Sequence, residues 1–230
     1  FTPEQVGAFT SDAIQGFEPD QLVSLQPAVF KGFSSNQISA FKPEAFSSFT
    51  SQILKKVKPS AMPGLVAEQV TAIADELFGA LKPKQLGKMT PEAFRGVDAG
   101  QFNALAKKQM KKINDEKVSE LNPKMIKGID AATFAMLKPD AITGFTKQQF
   151  KKVSADQLNT LQEDQIQAID ESAIPGLKTK ILKKLDEAAF TSFSPDQLDD
   201  FTFKQLKAVD TEYIEVLDND QQSAISGLIE

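Results

Sequence analysis

The chain has 230 residues, is 41% hydrophobic and carries a formal net charge of −5. This apolar content is enough to build a core, which argues against wholesale disorder. The chain has no cysteine and no histidine, and this excludes thiol nucleophiles, Ser-His-Asp triads, Cys/His zinc sites and disulfide bonds.

An eight-residue unit repeats without insertion or deletion from Thr2 to Ile225, which gives 28 consecutive octads. We number the octads from the N-terminus, so that octad 1 is residues 2–9, and we number the positions in each octad from one to eight. Position eight is apolar in all 28 octads and position five in 27, with Gln222 as the exception. A fixed short period is typical of a repeat array in which each unit contacts mainly its neighbours.

Each octad carries the signals that start a helix. Seventeen first positions are Ser, Thr, Asp or Asn, the preferred N-caps, and ten of the twelve prolines occupy position two, the first helical position. Position four is Gln in thirteen octads. A Ser or Thr cap followed three residues later by Gln is a capping box, as in Ser34 with Gln37 and Ser194 with Gln197. Because the recurring prolines rule out one long helix, the pattern predicts a short helix of about one and a half turns in every octad.

Helices this short are not stable alone because nucleation is costly, so side chains at positions five and eight must hold them by packing. Sixteen of the eighteen phenylalanines occupy these positions, and we interpret them as core residues rather than a ligand site. Apolar residues three apart do not fit strand alternation, and frequent prolines do not fit a coiled coil. The sequence therefore predicts an all-α superhelical solenoid of very short helices, continuous over residues 1–230.

Small residues alternate between octads. Glycine at position seven and alanine at position four occur only in even-numbered octads, as in Gly64 and Gly96. Such residues suit the close approach of a second backbone or, for glycine, a turn with positive φ. The alternation predicts a sixteen-residue unit with two inequivalent helices. It favours two helices in each coil of the superhelix, with three helices in each coil as the open alternative.

The two ends of the chain differ. Residues 186–230 form an acidic C-terminal portion with eleven acidic residues and two lysines, and Gln222 replaces the apolar residue at position five of the last octad. Two interpretations stay open, a polar cap that ends the array and a simple decay of the pattern. At the other end, Phe1 fits position eight of a preceding octad, so we expect the chain to be part of a longer array.

Lysine pairs are the candidate partner-facing residues. Four octads carry a pair at positions six and seven, away from the core positions, and one of these octads has a second pair near its start. These residues are Lys55, Lys56, Lys107, Lys108, Lys111, Lys112, Lys151, Lys152, Lys183 and Lys184. They could form a basic stripe for an acidic partner, a polyanion or an anionic surface, or a solvated face that keeps the array soluble. The net negative charge argues against nucleic acid as a partner.

No motif predicts catalysis, a cofactor or a metal site. The acidic residues Asp218 and Asp220 lack the spacing of an EF-hand loop, and Asp218 is better explained as an N-cap. No apolar run approaches the roughly 18 residues that a membrane helix needs. We therefore expect a protein that is not an enzyme, binds no cofactor and does not insert into a membrane.

Octads such as TPEQVGAF and SPDQLDDF combine a cap, a proline, an acid, a glutamine and two apolar residues. This motif resembles octapeptide arrays of the T-x-x-Q-[VIL]-x-x-L kind, which occur within large bacterial surface or secreted proteins. The resemblance covers essentially the whole chain, although this chain uses more phenylalanine and less alanine. It implies a structural or interaction role and a secreted or cell-surface location, and it assigns no functional residues.

Two functions stay open on the sequence alone. The first is a structural, non-catalytic module that acts as an extended spacer or scaffold in a larger protein. The second is a protein- or peptide-binding solenoid that uses one face of the superhelix. The expected partners are another protein or neighbouring repeats of a longer array, and we expect the isolated chain to be a monomer.

Overall fold

A computed structural model describes residues 1–229, and in this range each octad forms one helical element. Four elements are 3₁₀-helices, the others are α-helices, and no strand occurs in residues 1–229. This confirms the prediction of an all-α solenoid with one short helix per octapeptide. Glu230, which the predicted solenoid and the predicted acidic C-terminal portion both include, lies outside the described residues.

The contacts within the chain divide it into two compact units. Unit 1 comprises Phe1–Ile113 and Glu120–Asn122, and unit 2 comprises Asn114–Ser119 and the chain from Pro123 onward. The elements before Asn114 are the α-helices Pro3–Gly7, Ser11–Gln15, Pro19–Val23, Ser35–Ala40, Pro43–Ser47, Ser51–Leu54, Ala67–Thr71, Asp75–Gly79, Pro83–Lys88, Ala99–Asn103 and Lys107–Met110, and the 3₁₀-helices Pro27–Lys31, Pro59–Gly64 and Glu92–Gly96. The elements after it are the α-helices Asp115–Glu120, Pro123–Ile126, Ala131–Phe134, Pro139–Ile142, Lys147–Phe150, Ala155–Asn159, Glu163–Gln167, Thr179–Leu182, Glu187–Thr191, Pro195–Asp199, Phe203–Leu206, Thr211–Glu215 and Asn219–Ile229, and the 3₁₀-helix Glu171–Gly176.

The helices begin where the sequence places their caps. The Ser34 hydroxyl accepts a hydrogen bond from the Gln37 N–H at 3.3 Å, and Gln37 Oε1 accepts one from the Ser34 N–H at 2.9 Å. The predicted box between Ser194 and Gln197 is also present. Each box satisfies two backbone donors that the first turn of a helix leaves without partners, so both predictions are confirmed.

Side chains at positions five and eight form the core of each unit. Phe30 and Phe46 in unit 1 and Phe134 and Phe190 in unit 2 are almost completely buried. Phenylalanine rings contact one another in these cores, as in the tilted pair of Phe46 and Phe49, whose centroids lie 4.8 Å apart. The phenylalanine stripe is therefore core packing, as predicted.

Glutamine at position four also connects successive coils, a second role that the sequence analysis did not predict. Gln69 Oε1 accepts a hydrogen bond from the Val66 N–H at 3.1 Å, and Gln69 Nε2 donates to the carbonyls of Ile38 and Phe41 at 2.9 and 2.8 Å. These acceptors lie 31 and 28 residues earlier in the chain, at positions five and eight of an octad four octads back. Gln69 is 1% exposed, and both the oxygen and the nitrogen of its side-chain amide form hydrogen bonds with buried backbone groups.

The same pair of bonds recurs in both units. Gln101 donates to the carbonyls of Val70 and Ile73 at 2.8 and 2.6 Å, in the octad that contains Gln69. The bonds of Gln69 and Gln101 therefore join into a ladder that runs from coil to coil, which we call the glutamine ladder. The glutamines that donate to carbonyls both 31 and 28 residues earlier include Gln37, Gln69, Gln85, Gln101, Gln157, Gln197 and Gln205.

A coil of the superhelix is larger than the predicted two helices. Helices that pack against each other lie three octads apart, such as Ser35–Ala40 with Pro59–Gly64 in unit 1 and Lys147–Phe150 with Glu171–Gly176 in unit 2. The glutamine ladder reaches four octads back. One coil in each unit therefore holds three to four octads, and the predicted coil of two helices in sixteen residues is wrong.

Two of the small residues in even octads lie where successive coils approach closely. A Cβ added at Gly64 would overlap the carbonyl oxygen of Ser35, and one added at Gly96 would overlap that of Ala67. Both pairs span three octads, and because three is odd this contact always joins an even octad to an odd one. No glycine in residues 1–229 has a positive φ, so close backbone approach, and not turn geometry, requires glycine at these two positions.

The last octad forms a longer helix, Asn219–Ile229, whose start is capped as predicted, since the Asp218 carboxylate accepts from the Gln221 N–H at 2.8 Å. Gln222, the single exception at position five, donates through Nε2 to the Leu217 carbonyl at 2.9 Å. Leu217 occupies position eight of its octad. In other octads a ladder glutamine from a later octad donates to the position-eight carbonyl, whereas here Gln222 of the next octad does so. This local bond favours a polar cap, which stays a prediction.

We expect Gln69→Leu to lower the free energy of unfolding by about 2–4 kcal/mol, because the buried Phe41 carbonyl and the Val66 N–H lose their bonds to Gln69, and the Ile38 carbonyl keeps only the Phe41 N–H. The matched control is Gln21→Leu. Gln21 makes the same bond to its N-cap residue, Glu18, but is exposed, so its loss should cost about 1 kcal/mol or less. Urea denaturation of both variants measures the difference, and equal losses would contradict a structural role for the ladder.

Gly96→Ala should lower the melting temperature by about 4 °C or more, because the new methyl group must displace the backbone of Ala67. Gly16 occupies the same position of an even octad, but the nearest atom to an added Cβ is the Ala13 carbonyl oxygen at 3.4 Å. Gly16→Ala should therefore leave the melting temperature unchanged or raise it slightly. Thermal melts followed by circular dichroism compare the two, and equal shifts would refute the close-approach explanation.

Candidate interaction surface

The candidate partner-facing lysines lie on the surface but are divided between the two units. Nine of the ten are exposed, and Lys151 is half-buried. The pair Lys55–Lys56 and the two pairs in residues 107–112 belong to unit 1, whereas Lys151–Lys152 and Lys183–Lys184 belong to unit 2. The structure therefore supports a shared lysine surface only within each unit.

In unit 1, four octads place their lysines on adjoining helices. The helix Pro59–Gly64 packs against Pro83–Lys88, which in turn packs against Lys107–Met110. Octad 7 joins this group because Gln85 donates to the Leu54 carbonyl at 2.7 Å. We call the lysines of octads 7, 8, 11 and 14 the basic face, which consists of Lys55, Lys56, Lys58, Lys82, Lys84, Lys88, Lys107, Lys108, Lys111 and Lys112.

The four octads of the basic face contain no acidic residue of their own. They read TSQILKKV, KPSAMPGL, KPKQLGKM and AKKQMKKI, and all ten lysines are exposed. Packed helices lie roughly 8–10 Å apart, which is comparable to the distance of about 8–10 Å over which salt screens exposed charges. The ten positive charges therefore reinforce one another and attract anionic groups.

Four lysines of the basic face were missed by the sequence analysis, namely Lys58, Lys82, Lys84 and Lys88. They are not in lysine pairs, so the pair pattern does not identify them. The signal that could have found them is the recurrence of acid-free, lysine-bearing octads every three or four octads along the chain. Interpreting that recurrence requires the size of the coil, which the sequence analysis predicted incorrectly.

Two grooves with basic walls cross this surface. Lysines and a proline at the start of a helix line both grooves, and neither lining contains an acidic residue. The first groove is lined by Gln26, Pro27, Ala28, Gln52, Lys55, Lys56 and Lys82. The second is lined by Pro59, Pro83, Lys84, Gly87, Lys88 and Lys112.

Lysine ammonium groups determine which ligands the two grooves can bind. Lys82 Nζ donates to the Lys55 carbonyl at 2.8 Å, which holds this ammonium group at the wall of the first groove. Ammonium groups bind carboxylate, phosphate or sulfate oxygens by charge-assisted hydrogen bonds. They are compact point charges without the planar fork of arginine, so the surface selects for negative charge more than for one anion geometry.

The lysines of unit 2 also belong to adjoining helices. Pro123–Ile126 packs against Lys147–Phe150, and Thr179–Leu182 packs against Phe203–Leu206. In the latter pair, Lys207 Nζ lies 4.5 Å from the centroid of the exposed Phe203 ring, a cation–π geometry. These helices carry the pairs Lys151–Lys152 and Lys183–Lys184 at their C-terminal ends.

One lysine of unit 2 lies in the core instead of on the surface. Lys117 occupies position four of its octad, where glutamine is usual, and is buried. Burial lowers the pKa of its ammonium group below the ordinary value, and the nearby Glu116 carboxylate partly opposes this shift. Lys117 therefore belongs to the architecture rather than to a binding surface.

Residues 1–229 contain no group of three or more His, Cys, Asp or Glu side chains placed to hold a metal ion. Within the same residues, no helix has the length and apolar character needed to cross a membrane. No protein-family model and no curated protein matches the chain. The resemblance to octapeptide arrays of bacterial surface or secreted proteins therefore stays a prediction.

Proposed function

We propose that the chain is a structural, non-catalytic repeat module that acts as an extended spacer or scaffold in a larger protein. The observation that carries this proposal is the glutamine ladder. In each unit, buried amides join an octad to another four octads earlier, at positions where the apolar core also packs. A spacer needs such ties because an array held only by apolar contacts can slide or open between coils.

The geometry of the ladder makes sliding costly. Gln101, which is fully buried, satisfies its amide only when the carbonyls of Val70 and Ile73 stand opposite it. A shift of one residue would break both bonds, so the Gln101 amide and the Ile73 carbonyl would lose these partners, whereas the Val70 carbonyl would keep the Ile73 N–H. Each buried polar group left unpaired costs about 1–3 kcal/mol. Repetition of this penalty along the array would keep the spacing between successive coils constant. A location at the cell surface or in a secreted protein is supported by the resemblance of the octads.

Spin-label distances test the spacer proposal. The chain has no native cysteine, so Ser60→Cys and Gln148→Cys, both at exposed positions, can carry one nitroxide each. One label lies in unit 1 and the other in unit 2. If the chain is a spacer, pulsed electron paramagnetic resonance should give a single narrow distribution of the distance between the two labels.

The matched control is the pair Ser24→Cys and Ser60→Cys, which lies within unit 1 and should also give a narrow distribution. A broad distribution for the first pair beside a narrow one for the control would show flexibility between the units and contradict the spacer function.

A second candidate function is the binding of an acidic protein or peptide, and the basic face of unit 1 favours it. Ten exposed lysines in octads that contain no acidic residue are more than solubility requires in a chain whose net charge is −5. Solenoids commonly bind partners along one extended face. The two candidates are compatible, because the ladder lies in the core and the lysines lie on the surface.

Binding of a fluorescent poly-glutamate peptide tests the second candidate. Lys84→Glu, Lys88→Glu and Lys112→Glu together should weaken binding at least tenfold, or about 1.4 kcal/mol, when measured by fluorescence anisotropy at low salt. The control reverses three cations outside the basic face, Lys42→Glu, Arg95→Glu and Lys138→Glu, with the same change in net charge. Equal weakening by both triple variants would indicate a general charge effect and would argue against a binding face.

A further inference from the structure

An acidic surface in unit 2 complements the basic face. Octads 24 and 25, residues 186–201, and octads 27 and 28, residues 210–225, contain ten acidic residues and no lysine or arginine. All ten side chains are exposed. We call the acidic side chains of these four octads the acidic face.

The acidic face is assembled in the same way as the basic face. Glu187–Thr191 packs against Thr211–Glu215, and Pro195–Asp199 packs against Asn219–Ile229, so in each pair the helices lie three octads apart. Asp199 and Asp200 occupy positions six and seven of their octad, the positions that lysine pairs occupy in the basic face. The two faces therefore share both the coil spacing and the placement of charge on the helices.

We propose that the basic face of one copy of this chain docks on the acidic face of a second copy. This inference rests on the second candidate function, in which the basic face is a binding surface, and it names the partner. The two faces carry equal numbers of opposite charges, ten lysines and ten carboxylates. Because both are repeated at the coil spacing of the same solenoid, their rows of charge match when the coils of two copies lie side by side.

A second copy fits the basic face better than a generic anionic polymer does. A polymer would match only the sign of the charge, whereas the acidic face also carries its charges on helices that pack three octads apart, as the basic face does. The contact is heterologous, since unit 1 of one copy meets unit 2 of another, and it can close as a reciprocal dimer or continue as an open chain. Its charges are exposed, so salt weakens the contact, and at high ionic strength the chain returns to the monomer expected from its sequence.

Sedimentation of the full chain at about 20 mM and about 500 mM NaCl tests this proposal. The sedimentation coefficient should rise with protein concentration at low salt and should be that of a monomer at high salt. Two triple variants reverse the faces, one with Lys84→Glu, Lys88→Glu and Lys112→Glu, and the other with Asp199→Lys, Asp200→Lys and Asp220→Lys. Each variant alone should remain monomeric at low salt, and an equimolar mixture of the two should associate again.

Three outcomes would overturn the proposal. The first is a wild-type chain that stays monomeric at low salt over the whole concentration range. The second is association that neither variant reduces, and the third is a mixture of folded variants that does not associate. If the chain binds poly-glutamate but stays monomeric, a second copy is excluded as the partner, and the second candidate function is still supported. Circular dichroism of each variant confirms its fold, and the salt dependence of the wild-type chain tests the proposal without any substitution.

Discussion

The side-chain amide of glutamine at position four bonds in two directions at once. Its oxygen accepts from the N–H at the start of its own helix, and its nitrogen donates to two carbonyls about one coil earlier, as Gln69 does with Ile38 and Phe41. A buried amide is costly unless all these bonds are made. The start of the helix, the register between coils and the burial of the side chain therefore all depend on this one amide group.

Octads without this glutamine join the coils by a different contact. The 3₁₀-helices Pro59–Gly64 and Glu92–Gly96 have alanine at position four and glycine at position seven. Their glycines let the backbone approach that of a helix three octads earlier, where a side chain would not fit. The array thus uses two ways of joining its coils, a long polar side chain that reaches four octads back and a direct backbone contact with a helix three octads earlier.

The core and the ladder leave some positions free to carry charge. Side chains at positions three, six and seven contribute little to either, apart from the glycines at close approaches, so lysine or aspartate can replace other residues there without disturbing the helices. Both faces use positions three, six and seven, and both also carry charge at positions one and two, where the helices start. The surface of this protein can therefore change in charge from coil to coil while its fold stays the same.

The sequence by itself determined the fold class, the helix in every octad, the capping boxes such as Ser34 with Gln37, and the phenylalanine core. All these features depend on residues within eight positions of one another, where cap, proline and apolar spacing act directly. Only the tertiary structure decided the coil size, because an eight-residue pattern is the same whether two, three or four octads complete a coil. For the same reason only the tertiary structure brought Lys55 and Lys82 to one groove and showed that Gln69 reaches the preceding coil.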